Sequence, residues 1–255
     1  TKYFAEVVPI LADILAGPVF PAKELENYKT RNQQRLRVDL QKNDIVAYRK
    51  ITECIFGTTH PYGYNSYPEN YDGLQREDLV DHYQRFYTSG NCRMIISGRY
   101  DEAVIELLDR ELAAAIRRGP AARAHISGGG SPPGRIFVEH PDTVQTAIRV
   151  GRRLFNRHHP DYHGLYVLNT ILGGYFGSRL MENIREEKGY TYNVYSMIDT
   201  MRHDGFFYIG TEVGNEFVED TLTQIYRELR NLQEKPAGDD ELEMVRNYLL
   251  GYFLT

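Results

Sequence analysis

The chain has 255 residues, of which 42% are hydrophobic and 25% charged, so it can bury one large core or two modest ones. Its formal net charge of -5 gives no basic field of the kind that attracts nucleic acids or anionic membranes, and we expect neither partner. No apolar run reaches the roughly 18 residues that a membrane span requires.

The two cysteines, Cys54 and Cys92, lack C-x-x-C spacing, so the sequence suggests neither a disulfide framework nor a cysteine zinc site. A reducing compartment, and therefore a cytoplasmic location, is the simplest expectation. The chain starts at Thr1 inside a helical pattern and stops at Thr255 without a capping signal. We therefore expect a fragment of a longer protein, which leaves a signal peptide on the parent open.

Helical spacing of apolar residues dominates the first part of the chain. It predicts helices over residues 4–15, 21–42, 44–55, 78–87 and 102–116. A polar loop, His60-Pro61-Tyr62-Gly63, separates the third helix from the fourth, and residues 92–97 are predicted to form a short buried strand.

The next segment, residues 118–134, has the composition of a flexible linker. It contains Gly128-Gly129-Gly130 and Pro132-Pro133, and its apolar residues show no periodic spacing. A phosphate-binding loop is the alternative, but no Lys-Ser/Thr follows the glycines and no strand immediately precedes them. We therefore predict the back part of a first unit at 1–117, a linker at 118–134, and a second unit at 135–255 whose C-terminal end is missing.

Strands and helices both occur in the second part. The predicted strands are residues 135–139, 145–151, 191–199 and 206–212, the last two forming a hairpin. The predicted helices are residues 161–172, one starting near 178, 216–232 and 239–253.

An internal repeat links the two parts. In each, an amphipathic helix leads through a Pro- or Gly-containing loop into a helix that opens with Glu-Leu-Glu, at residues 24–26 and 241–243. The corresponding apolar positions are Val8, Leu11 and Leu15 in one copy and Leu222, Ile225 and Leu229 in the other. Two helices can match by chance, but the shared order of helix, loop and helix favours duplication. The predicted fold class is α+β, with two similar sheet-plus-helices units in tandem, both incomplete.

The densest motif covers residues 172–196, where L-G-G, S-R-L, I-R-E and, after Gly189, Y-x-V-Y-S follow one another. This order resembles the second structural unit of the pitrilysin/insulinase family of zinc peptidases, which includes the mitochondrial processing peptidase. Phe20-Pro21 with Leu25-Glu26, and the loop at residues 60–63, resemble the back half of that family's first unit. The resemblance thus covers most of the chain and implies the LuxS/MPP-like metallopeptidase fold.

The resemblance also implies a division of labour. Family members pair two-unit halves around a chamber. One half carries H-x-x-E-H, with two His and a distant Glu on zinc and the Glu of the motif as general base. The other half holds no metal and contributes an Arg and a Tyr, seven residues apart, that bind the substrate backbone.

The sequence matches the half without metal. It contains no H-x-x-E-H, and its nearest pattern, residues 159–163, has Tyr where the base must be and is better explained as a helix start at Pro160-Asp161. In the catalytic half, the resemblance implies two Glu in the helix after Pro21. The matching positions here are Tyr28 and Arg35, and a guanidinium cannot bind zinc. Shifting the alignment offers Thr30, Gln33, Gln34 or Leu36, none of them a carboxylate.

The family's substrate-holding pair corresponds to Arg185 and Tyr192. A guanidinium and a phenol hydroxyl can both donate hydrogen bonds to peptide carbonyls. The alternative is that Arg185 pairs with Glu182 one helical turn back and that Tyr192 is an ordinary strand aromatic.

Three glycines, Gly173, Gly174 and Gly177, precede this pair and form a possible glycine loop. The non-catalytic subunit of the mitochondrial enzyme has a long glycine-rich loop here that handles substrate, and this chain has no such extended loop. A tight turn that needs positive φ is the alternative.

The leading hypothesis is a non-catalytic subunit or half of a zinc metallopeptidase that holds extended peptides for an H-x-x-E-H partner, by strand addition to a sheet edge. On this hypothesis the chain has no cofactor of its own and the partner carries the zinc; a homodimer is also possible. The alternatives are an assembly protein of the same fold, like the core subunits of the respiratory bc1 complex, or a fragment of a catalytic member.

Overall fold

The structure, a computed structural model, describes residues 2–122, 126, 132 and 134–254. It divides into two compact units, the first comprising Thr1–Arg37 and Ser66–His125 and the second Val38–Asn65 and Ile126–Thr255. The helices are α1 (Phe4–Ala16), α2 (Ala22–Asp39), α3 (Asn43–Phe56), α4 (Arg76–Phe86), α5 (Glu102–Ala115), α6 (Tyr162–Asn169), α7 (Val218–Glu234) and α8 (Asp239–Leu254). The strands are β1 (Gln145–Leu154), β2 (Val194–Thr200) and β3 (Gly205–Gly214).

The regular secondary structure of the first unit is helical in its described residues. Its core forms where α1 packs on α5, through Val8 and Ala12 on one helix and Leu108 and Leu112 on the other. These positions recur every four residues, so they lie on one face of each helix. The Asp101 carboxylate caps α5 by accepting a hydrogen bond from the Val104 N–H at 3.2 Å.

The second unit is built on a three-stranded antiparallel sheet in the order β1-β3-β2. One face of the sheet packs against the helical segments that follow β1 and against α7. The buried residues of this core are Ile148, Leu172, Leu180, Met181, Ile184, Val194, Ile209, Val213 and Ile225. The central strand β3 contributes to both faces, which explains why it is apolar almost throughout its length.

The opposite face of the sheet is covered by α3. Ile51, Ile55 and Phe56 of that helix pack against Phe206 and Tyr208 of β3. The rings of Phe56 and Phe206 meet edge to face, with 5.7 Å between their centroids. This second core joins a helix from early in the chain to a strand from its last third.

The predicted domain division therefore differs from the compact units at residues 38–65. The prediction gave this segment to the first unit because it precedes the linker, whereas the apolar face of α3 packs on the sheet of the second unit. Most of the predicted linker, residues 118–134, lies outside the described residues.

The mixed α/β class is confirmed, but two predicted strands are wrong. Residues 92–97 and 135–139 are irregular, and no strand pairs with either segment within the described chain. Most of their apolar side chains are exposed instead, Ile95 and Phe137 by more than four fifths, and Ile96 packs on the core of the first unit. A short apolar run fits a buried strand, but a strand needs a hydrogen-bonding neighbour to form.

Candidate functional site

Two π-helical segments lie within the motif at residues 172–196. The first, Thr170–Gly174, continues α6, and the second is Met181–Glu187. Leu180 and Ile184 are fully buried in the core on the sheet, which fixes the second segment in place. Arg185, the next residue after Ile184, is directed away from this core and keeps a quarter of its side chain exposed.

A glycine turn joins this segment to β2. Gly189 has φ of 67°, and its N–H donates to the Arg185 carbonyl at 3.0 Å. The Tyr190 N–H donates to the Ile184 carbonyl at 3.1 Å, so both bonds satisfy carbonyls at the end of the segment. The turn reverses the chain and brings Tyr192 back towards Arg185.

The side chains of Arg185 and Tyr192 lie next to each other. The guanidinium carbon of Arg185 is 5.1 Å from the centre of the Tyr192 ring and 4.5 Å from that of Phe176, both within the range of cation–π attraction. Tyr192 is 87% exposed and Phe176 63% exposed. The arginine forms its ion pair through Nε with the adjacent Glu186, at 3.3 Å, and not with Glu182 as in the alternative interpretation of the sequence.

The three glycines bracket Phe176. Gly173 touches β2 so closely that an added Cβ would lie 2.5 Å from the Ser196 backbone nitrogen. Neither Gly173, Gly174 nor Gly177 has positive φ, so the expectation of a left-handed turn is wrong and close approach is the physical reason for at least Gly173.

The edge of the sheet next to Gly173 is already partly occupied. The Asn169 amide of α6 donates to the Ser196 carbonyl at 3.3 Å, and the Ser196 hydroxyl donates to the Asn169 carbonyl at 3.1 Å. A peptide adding to β2 would therefore have to pair beyond Ser196.

The Lys188-Gly189-Tyr190 turn is anchored on α7 by Asp220. Its carboxylate accepts hydrogen bonds from Gln224 Nε2 at 3.0 Å, from Lys188 Nζ at 3.0 Å and from the Tyr190 hydroxyl at 2.8 Å. These donors, Gln224 first, lower the pKa of Asp220 to about 2, and the bond to Asp220 raises the pKa of Lys188. The Tyr190 ring also stacks on Phe217, with 4.4 Å between centroids.

Arg179, in the S-R-L part of the motif, joins the site to α8. Its Nε and Nη2 donate to the two carboxylate oxygens of Glu241 at 2.8 and 2.7 Å, and its Nη1 donates to the Lys235 carbonyl at 3.3 Å. Sequence reasoning missed this pair because 62 residues separate its members. It also missed Phe176, for which the only signal was a large apolar residue among glycines.

Residues matched to the family's zinc ligands do not fit a metal. Arg35 is a cation, and the neighbouring Gln33 is engaged, donating to the Pro68 carbonyl at 3.0 Å and to Asp72 Oδ1 at 2.7 Å. No group of three His, Cys, Asp or Glu suited to a metal ion occurs in the described part of the chain. The nearest H-x-x-E-H pattern lies at the start of α6, where His159 stacks on Phe155 and its Nδ1 accepts from the Asp161 N–H.

A protein-family model described as the peptidase M16 inactive domain matches residues 73–249, which is more than half of the chain. The chain belongs to the peptidase M16 inactive-domain family. This membership confirms the resemblance seen in the sequence motif.

Relatives of this M16 chain carry different names. It is 22% identical, over 98% of its length, to an uncharacterized zinc protease YmxG of Bacillus subtilis, and 25% identical, also over 98%, to a non-peptidase homolog YmxG of Helicobacter pylori. A crystal structure of a peptidase M16 inactive domain from Pseudomonas fluorescens covers 96% of the chain with a TM-score of 0.88 and 27% identity. The M16 chain spans 63%, 58% and 60% of these proteins, respectively.

Among the described residues of this M16 chain, no helix is both long and apolar enough to cross a membrane.

Proposed function

We propose that the chain is a non-catalytic part of an M16 metallopeptidase and that Arg185 and Tyr192 hold an extended peptide for a zinc-bearing partner. The observation that carries the proposal is the side-by-side placement of these two donors, with the tyrosine almost fully exposed. Membership of the inactive-domain family and the name of the Helicobacter pylori relative support the non-catalytic part of the proposal.

The chemistry of the pair suits a peptide main chain. Because the ion pair with Glu186 engages Nε, we assign the two terminal nitrogens of Arg185 to the peptide carbonyls. The Tyr192 hydroxyl supplies a further donor. Main-chain recognition of this kind selects an extended conformation more than a particular sequence.

The zinc chemistry belongs to the partner in this proposal. When bound there, zinc would activate water for peptide hydrolysis, whereas the present chain would only bind and orient the peptide. Tyr28 and Arg35 stand where a catalytic half needs carboxylates, so we do not favour a fragment of a catalytic member.

Activity assays of the chain paired with its zinc-bearing half test the proposal. Arg185→Ala should lower kcat/KM for peptides about tenfold or more, because a hydrogen bond from a charged group contributes roughly 1.5–3 kcal/mol. Tyr192→Phe should lower it less, by about two- to tenfold, since it removes a neutral hydrogen bond. Melting temperatures of both variants should remain close to that of the wild type.

Matched controls are available on the same unit. Arg246, which pairs with Glu243 on α8, and Tyr226, a half-exposed tyrosine of α7, can be changed to Ala and Phe respectively. Neither control should alter kcat/KM. If Arg185→Ala and Tyr192→Phe also leave kcat/KM unchanged, the pair does not hold substrate.

An assembly protein without a proteolytic role is the second candidate, favoured by the name "non-peptidase homolog" of one relative. It predicts that the chain forms a complex with its partner but that no peptide binds the surface around Arg185.

We also propose that α1–α2 and α7–α8 are duplicated copies in tandem units, since Glu24 and Glu241 each lie in the first turn of the second helix. Finding the same paired pattern in both halves of many relatives tests this proposal.

A further inference from the structure

Phe176 is a large apolar side chain that the fold does not bury. It lies in the loop between the two π-helical segments and is 63% exposed, although the neighbouring Leu172 and Leu180 are buried in the core on the sheet. Burial in the core therefore explains little of why an aromatic ring stands here. Its ring centre lies 4.5 Å from the guanidinium carbon of Arg185, closer than the ring of Tyr192.

Two aromatic rings thus lie against one guanidinium. A guanidinium attracted to a ring face exposes its N–H donors at the edge of its plane, where they can still form hydrogen bonds. An arginine side chain also loses considerable rotamer freedom when it binds, and contacts that restrict it beforehand reduce that cost. Glu186 restricts the same side chain through Nε.

We propose that Phe176 is a positioning residue, which together with Tyr192 holds the Arg185 guanidinium in the orientation that binds the peptide main chain. This inference rests on the proposed peptide-holding function and adds to it a residue that touches the holder. Gly174 and Gly177 allow the loop to place the ring, because both flank the Tyr175-Phe176 pair.

Two measurements on the chain test the inference, and the first needs no peptide. The NMR signal of the Arg185 Nε–H, assigned by its loss in Arg185→Lys, should be shifted upfield by the ring current of Phe176. Phe176→Tyr should keep that shift, and Phe176→Leu should move the signal downfield. Phe137→Leu, which alters an exposed phenylalanine elsewhere in the unit, should change nothing.

The second measurement is the binding of a dye-labelled, unstructured peptide with blocked ends, which offers mainly main-chain groups. Phe176→Leu should weaken binding roughly two- to fivefold, the effect of one exposed cation–π contact, and Phe176→Tyr should restore it. In an Arg185→Gln background, which has no cation, Phe176→Leu should have little further effect, since the ring acts through the guanidinium.

The outcomes distinguish the positioning role of Phe176 from the proposed peptide-holding function. An Arg185 signal that does not respond to Phe176→Leu, or equal weakening of binding in both the arginine and the glutamine backgrounds, overturns the positioning role. A wild-type chain that shows the shifted signal but binds no peptide supports the stacking and rejects the peptide-holding function. Because the ring is mostly exposed, Phe176→Leu is expected to fold, and its melting temperature verifies this.

Discussion

Individual residues of the motif at 172–196 have three physical roles. Leu180 and Ile184 are buried and anchor the motif on the sheet. Arg179 forms a bidentate ion pair with Glu241 of α8. Arg185, with its aromatic neighbours, remains accessible. A buried anchor on one residue and a partly exposed arginine on the next allow a short helical segment to hold a polar group in a fixed position.

At Gly173 the packing leaves no room for a side chain. An added Cβ would lie 2.5 Å from the backbone nitrogen of Ser196, and backbone cannot move as a flexible side chain can. Gly173→Ala should therefore destabilise the second unit by about 1–3 kcal/mol, a typical cost of overpacking. The midpoint of chemical denaturation measures this change.

Gly164 provides the matched control because it lies in α6, with no atom within 4 Å of the added Cβ. Gly164→Ala should stabilise the unit by roughly 0.5–1 kcal/mol, since alanine loses less backbone entropy in a helix. Equal stability of Gly173→Ala and the wild type would show that the approach to Ser196 is not tight.

The sequence pointed to Arg185 and Tyr192 as a pair only through the resemblance of its motif to the pitrilysin/insulinase family. It could not predict the contact of Phe176 with Arg185, since nothing in a loop sequence fixes where a side chain points. The alternative interpretation, an ion pair of Arg185 with Glu182, also differs from the structure, where the partner is Glu186. The i,i+3 rule assumes regular α-helix geometry, and Arg185 lies in a π-helical segment.

At the scale of elements, the turn between the π-helical segment and β2 depends on α7. Lys188 and Tyr190 flank Gly189 and both bind the Asp220 carboxylate, so one side chain of α7 secures both sides of the turn. The position of Tyr192, two residues later, follows from this anchoring.

Acid should weaken the bonds by which Asp220 holds the turn on α7. The folded-state pKa of Asp220 is about 2, below its ordinary value of 3.8, so its ionised form is favoured in the folded chain. Its contribution to stability is complete above the unfolded pKa and is lost as pH falls from about 4 towards 2. Asp220→Asn should remove this contribution, and the variant should show a flatter decline in unfolding midpoint over that range.

Glu187→Gln is a suitable control, because this exposed carboxylate lies just before Lys188. Denaturant midpoints measured across the acid range for the three proteins make the comparison. A decline as steep in Asp220→Asn as in the wild type would mean that other groups cause the acid sensitivity.

Strands show where local pattern suffices and where it fails. The strands β1, β2 and β3 could be predicted because each contains β-branched or aromatic residues and finds a partner in the sheet, and the β2–β3 hairpin is local. Residues 92–97 and 135–139 have equally apolar sequence but no partner among the described residues. Pairing is a non-local property, so apolar pattern alone could not distinguish these cases.

At the scale of the whole molecule, chain order and compact units do not coincide. The sequence places α3 before the linker, and composition alone marks residues 118–134 as the boundary. In the structure, α3 covers Phe206 and Tyr208 of β3 and belongs to the second unit. A shift in composition can suggest a boundary in the sequence, but it cannot show which sheet a helix from earlier in the chain covers.

A fragment of residues 135–255 should therefore be less stable than the same region in the intact chain. Without α3, the rings of Phe206 and Tyr208 would face solvent, and burial of one large apolar side chain is worth roughly 1.5–3 kcal/mol. Adding a peptide of residues 38–65 in trans should raise the denaturation midpoint of the fragment with increasing peptide concentration, because the peptide binds the folded state.

The matched control for that experiment is the same peptide with Phe56→Ala. It removes the ring that contacts Phe206 edge to face, so it should raise the midpoint much less at equal concentration. A dye that fluoresces on exposed apolar surface should bind the fragment alone and be displaced by the wild-type peptide. If instead residues 135–255 alone unfold at the same midpoint as the intact chain and the peptide changes nothing, α3 is not part of the second folding unit. The predicted boundary at 118–134 would then be the correct one, because the helix would contribute nothing that the second unit needs to fold.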